Sequence, residues 1–149
     1  MPLHCPDSMN AVVRLFNEMT PEKLEHLGDI YSPGVIFNGP IHQAHGLAQL
    51  REVLTTRFDK LENFSVELLD AHGDERTGFL LWTVNYQQHG KARAIHGMSH
   101  FRFAADGRIS EQRDQWDATS VLQGERPVLS WLMQKINRRP QISPQKAGK

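Results

Sequence analysis

The chain is 149 residues long, within the usual size range of one domain and long enough to bury a core. Lys and Arg number 17 and Asp and Glu number 17, so no net basic field exists to hold a phosphate backbone and nucleic acid is not an expected partner. The one cysteine, Cys5, excludes an internal disulfide and any C-x-x-C metal or redox spacing, which fits a reducing cytoplasm.

The first residues, Met1-Pro2-Leu3-His4, lack the basic start and apolar run of a signal peptide, and no apolar stretch reaches membrane-spanning length. A soluble, cytoplasmic protein without membrane contact is expected. Behind Asp7 and Ser8, Met9, Val12, Val13, Phe16 and Met19 recur at helical spacing. Thr20-Pro21-Glu22 restarts a helix, with Thr20 as cap and Pro21 at the first position, where its missing N–H is harmless. Leu24, Leu27, Ile30 and Tyr31 give it an apolar stripe, which Ser32-Pro33-Gly34 ends. Val35-Ile36-Phe37 is a short β-prone run closed by Gly39-Pro40. A third helix starts near Gly46, with Leu47, Leu50, Val53, Leu54, Phe58 and Leu61 on one face.

After Leu61 the apolar residues alternate instead, and β-rich segments follow with turns between them. Phe64, Val66 and Leu68 mark the first, Gly78 to Gln87 the second, Ala92 to Phe103 the third and Ile109 to Trp116 the last. Turns are expected at His72-Gly73-Asp74, His89-Gly90-Lys91 and Asp106-Gly107. A terminal helix carries Val128, Leu129, Leu132, Met133 and Ile136. The sequence thus predicts a single α+β domain over residues 1–137, with a curved antiparallel sheet roofed by N-terminal helices, and a polar, disordered tail over 138–149. A long sheet bent around few helices encloses a hollow at its concave face, the default ligand site.

Three stretches carry a family likeness: Ile30-Tyr31-Ser32-Pro33-Gly34-Val35-Ile36-Phe37-Asn38-Gly39-Pro40, His100-Phe101-Arg102-Phe103, and Asp106-Gly107-Arg108-Ile109 through Arg113-Asp114-Gln115-Trp116-Asp117. In order and spacing they resemble the nuclear transport factor 2-like superfamily, and within it the SnoaL-like proteins, ketosteroid isomerases and limonene-epoxide hydrolases. The resemblance spans about Val12 to Trp131 and implies a cone-shaped fold, a deep, mostly apolar pocket and a homodimer. Its catalytic groups do not carry over as sets. Where the isomerases place a proton-shuttling aspartate before a proline, this chain has Gly39; where they place the carboxyl that binds the enolate, it has Ser99. Their pocket tyrosine would fall on helix one near Arg14 or Leu15. Of the Asp-Arg-Asp network of the epoxide hydrolases, only the position of Asp114 keeps its carboxylate, and Trp82 and Val84 stand at the other two.

Asp114 is therefore the candidate catalytic residue, sharing a strand face with Gln112 and Trp116. Two readings of it stay open: a general acid or base in the pocket, or a structural aspartate bonded to backbone or to Arg113 or Arg93. Phe16, Phe37, Trp82, Tyr86, Phe101 and Trp116 are candidates to line or fill the hollow around a small apolar ligand, and Ser99 is a candidate hydrogen-bond donor to it. The alternative function is a non-catalytic dimerisation or interaction module with its hollow plugged by Trp82, Phe101 and Trp116; the least favoured is a ketosteroid isomerase-like or epoxide hydrolase-like enzyme with relocated residues. No metal or other cofactor is expected. Four residues along a strand span about 13 Å, too far for His96 and His100 to share an ion, and His42 and His45 lack a companion carboxylate or thiolate.

Overall fold

The computed structural model describes residues 7–119; the expected terminal helix around Val128 to Ile136, the tail over 138–149 and Cys5 lie outside the described residues. Helix α1 (Asp7–Asn17) buries Met9, Val12 and Leu15. Leu15, not Val13, completes the buried stripe, and Phe16 stands at its edge, only partly covered. The restart at Thr20-Pro21 is a 3-10 helix, Pro21–Asp29, broken at His26 and anchored by buried Leu24 and Leu27.

Strand β1 (Tyr31–Asn38) begins earlier than the sequence suggests. Ser32-Pro33-Gly34 reads as a stop, yet the strand runs through it. Its register against the neighbouring strand shifts between Tyr31 and Ile36, an irregularity that tolerates a proline without an N–H and a glycine without a side chain to pack. Tyr31, expected on the helical stripe, is thereby a strand residue. A short hairpin partner, β2 (Gln43–His45), follows and leads through Gly46, at φ 82°, into helix α2 (Gly46–Lys60). Four strands complete the order: β3 (Glu62–Gly73), β4 (Thr77–Gln88), β5 (Lys91–Phe103) and β6 (Ile109–Trp116).

They form one six-stranded sheet in the order β2-β1-β6-β5-β4-β3. Neighbours are antiparallel except β1 and β6, which run parallel. That pair joins the first strands of the chain to the last and closes the sheet across its middle. The β4–β5 turn is a two-residue loop in which His89 (φ 52°) and Gly90 (φ 74°) both adopt left-handed backbone, the type I′ geometry that matches strand twist. Asp74 and Asp106 secure the other two turns by accepting backbone N–H bonds from Arg76 and Thr77, and from Arg108.

Strand alternation sorts the two faces. Val35 and Phe37 of β1, Leu80, Trp82 and Tyr86 of β4, Ile95, Ser99 and Phe101 of β5, and Gln112 and Asp114 of β6 are buried, and this inner face receives the helices. Met9 of α1 lies so close over Gly73 and Gly78 that a Cβ at Gly78 would overlap its thioether. Helix α2 packs on β1 and on the 3-10 segment. The opposite face leaves Ile36, Phe79, Leu81 and Met98 exposed.

Candidate functional site

Between the helices and the inner face of the sheet lies a cleft of about 70 Å³, walled by Phe16, Leu54, Phe64 and Val84, with Tyr31, Arg57, Trp82, Gln112 and Asp114 supplying its polar atoms. The carboxylate of Asp114 is the hub of those groups. Its side chain is only 2% exposed. Ser99 stands directly opposite it on β5 and donates its hydroxyl proton to Oδ1 at 2.7 Å. Gln112, two residues earlier on the same face of β6, donates from Nε2 to Oδ1 at 2.8 Å. Arg57, from the last turns of α2, reaches Oδ2 at 3.2 Å.

A second tier fixes those donors. The indole N–H of Trp82 can only donate, and it donates to Ser99 Oγ at 2.9 Å, which leaves the serine proton for Asp114. The Trp82 ring lies against Gly97, where a Cβ would overlap it, so the missing side chain sets the indole's position. Tyr31 donates to Gln112 Oε1 at 2.7 Å, which orients the amide with its NH₂ toward Asp114. Burial, reinforced by the Asp114 charge and opposed by Arg57, pushes the Tyr31 phenol above its ordinary pKa of 10.0, so it remains a neutral donor. Arg57 is further held over the Phe37 ring, 5.4 Å from its centroid, within the range of a cation–π contact.

The structure thus brings together Asp114, Trp82 and Phe16 in the lining of the cleft, with Ser99 and Phe37 immediately behind it. Ser99 spends its one proton on Asp114 and accepts from Trp82, so it positions the carboxylate. Phe101 is fully buried and packs edge-on against Phe16, with centroids 6.1 Å apart. Tyr86 is buried near the β4–β5 end of the sheet, and Trp116 pairs with Gly97 at the end of β6; neither is in the cleft's lining. Gly39 carries no functional group, and its N–H bonds the His42 carbonyl. Two participants escape the sequence reading. Arg57 follows Leu54 by three residues and precedes Leu61 by four, a spacing that puts it on the apolar face of α2. Tyr31 supplies a pocket phenol from β1, where the isomerase pattern would place one on helix one.

Among the described residues no three His, Cys, Asp or Glu side chains gather as a metal site. His96 bonds Thr83 Oγ1 and His100 stacks on Phe79 on the outer face. No described helix is long and apolar enough to cross a membrane.

A family profile for the SnoaL-like domain matches residues 12–112. No curated protein matches the chain. Among solved structures, the chain is similar to a nuclear transport factor 2-like protein of unknown function from Burkholderia pseudomallei K96243, with a TM-score of 0.70 at 13% identity over 79% of this chain and 96% of that one. It is also similar to TerC co-crystallised with polyporic acid, with a TM-score of 0.67 at 13% identity over 78% and 95%. A third is a ketosteroid isomerase-like protein from Catenulispora acidiphila DSM 44928 in complex with trimethylamine, with a TM-score of 0.65 at 15% identity over 80% and 92%. At such identities the likeness establishes the fold, which is nuclear transport factor 2-like.

Proposed function

Because the chain belongs to the SnoaL-like domain family, matched over most of its length, we propose that it binds a small, mainly apolar molecule in the cleft beneath α1 and α2, with the Asp114 carboxylate at its floor. The observation that carries this reading is a buried carboxylate, held by three donors, facing a cleft whose walls are otherwise largely hydrocarbon. Such a mixture of apolar walls and a few fixed polar groups is what small-molecule sites present. Two fold relatives were solved with small molecules, polyporic acid and trimethylamine, and they support binding as the use of this fold. Should the ligand be turned over, Asp114 would be the group that accepts and returns a proton, with Ser99 and Gln112 holding it in register.

A second reading, a non-catalytic module that pairs with another copy of itself, draws on the modest cleft volume and on the exposed outer face carrying Phe79, Leu81 and Met98. That face also carries Arg102 and Glu111, directly opposite each other in register, so it holds both charge signs and can meet its own copy across a two-fold axis.

Val84→Trp separates the two. An indole at position 84 is expected to fill the cleft from the sheet side. Fragment titrations followed by ¹⁵N NMR are expected to shift resonances around Phe16, Leu54 and Gln112 in the natural chain and to leave them unmoved in Val84→Trp. Fragments that bind both equally, or none that binds the natural chain, would favour the second reading.

A further inference from the structure

The geometry points to Arg57 as the specificity-determining residue of the cleft, selecting an apolar molecule that carries an anionic oxygen at one end. This rests on the cleft being a binding site and names the class of ligand it takes.

Few polar groups in the cleft remain available to a ligand. The Trp82 N–H is committed to Ser99, the Tyr31 hydroxyl to Gln112, and the Gln112 amide gives its oxygen to Tyr31 and one of its two N–H groups to Asp114. Among the described residues, Arg57 and Asp114 are the only charged side chains in the lining. They are not equally accessible: the Arg57 side chain is 34% exposed and that of Asp114 is 2%. A molecule entering from the mouth meets the guanidinium before it meets the carboxylate. Among the described residues, Arg57 commits one of the five N–H donors of a guanidinium, the one to Asp114 Oδ2. The Asp114 bond and the Phe37 ring beneath fix the fork, so few rotamers are lost when an anion binds. Its remaining donors can pair with a carboxylate, enolate or phenolate oxygen, while the ligand's hydrocarbon part lies against Phe16, Leu54 and Val84. A cationic ligand would meet the guanidinium's charge first and is disfavoured.

The test compares three probes of one shape, benzoate, benzyl alcohol and benzylammonium, titrated at low ionic strength against the full chain and against Arg57→Gln and Arg57→Lys. Benzoate is expected to bind roughly tenfold tighter than benzyl alcohol, the margin of a charge-assisted over a neutral hydrogen bond, and benzylammonium more weakly than either. Arg57→Gln should bring benzoate and benzyl alcohol within about twofold of each other, and Arg57→Lys should keep part of the preference. If Arg57→Gln does not fold, the three-probe order in the natural chain still decides. Equal binding of benzoate and benzyl alcohol by the natural chain, or an unchanged preference in Arg57→Gln, overturns the assignment while leaving the cleft a binding site. Failure of all three probes to bind overturns both.

Discussion

Asp114 is the residue on which the site converges, and its partners hold its side chain in one orientation. Each donor has one role: Ser99 and Gln112 hold Oδ1, Arg57 holds Oδ2, and Trp82 and Tyr31 lock the first two. Ser99→Ala removes the bridge between Trp82 and Asp114 and leaves a buried indole N–H without its acceptor. It should destabilise the fold by about 1–3 kcal/mol in urea unfolding and should also loosen Trp82, seen as a change in tryptophan emission in the folded protein. An unchanged urea midpoint would mean that the serine bridge is not stabilising. Much at this scale is legible in the sequence. Asp114, Ser99 and Trp82 stand out by family position, and strand alternation adds Gln112. Arg57 does not stand out, because an arginine in an amphipathic helix is ordinarily a solvated one. Only its place between Leu54 and Leu61 marks it as inward-facing. Tyr31 is hidden for another reason: Ser32-Pro33-Gly34 interrupts the pattern that would reveal a strand.

Two of the three turns are specified sharply by the sequence, because their chemistry is local; the third lies at Asp74 to Arg76, past His72 and Gly73, which are paired strand residues. His89-Gly90 needs two left-handed residues and has them, and Asp106-Gly107 needs an acceptor for the next free N–H and has one. Hydrogen bonds from the Arg108 backbone N–H, and then from its side chain, hold the Asp106 carboxyl below its ordinary pKa of 3.8. A carboxylate whose folded pKa is lowered contributes stability above its unfolded value and loses it as pH falls through the folded value. Local protection of the β5–β6 turn should therefore persist at neutral pH and fade only below about pH 4. A carboxyl NMR titration of Asp106 is expected to give a midpoint below 3.8. Asp106→Asn keeps the acceptor and should remove the pH dependence; a midpoint at or above the ordinary value contradicts this account. By contrast, β2 is invisible in sequence, because Gln43-Ala44-His45 is too short and polar to show a period. It forms because β1 offers it an edge.

For the molecule as a whole, order of elements sufficed to predict the α+β class, since helices come first and alternating strands later. The parallel pairing of β1 with β6 could not be predicted that way, being a long-range choice that no local pattern encodes. The same pairing places Phe37 beside Gln112, and so sets the floor under Arg57. The outer face, with Leu81 opposite Met98 and Phe79 stacked on His100, is the surface through which a second copy is proposed to bind. Leu81→Asp puts a charge at its centre, where a like-charged copy would oppose it. On that second reading, sedimentation shows a dimer for the natural chain and a monomer for the variant, with unchanged circular dichroism. A monomeric natural chain removes the pairing without touching the cleft.

A crystal structure of the full chain grown with benzoate shows whether the cleft over Asp114 and Arg57 receives a small molecule. The ring is expected between Phe16, Leu54 and Val84, with a carboxylate oxygen within about 3 Å of the Arg57 guanidinium. A cleft closed by its own side chains, with benzoate absent from it, would contradict that expectation.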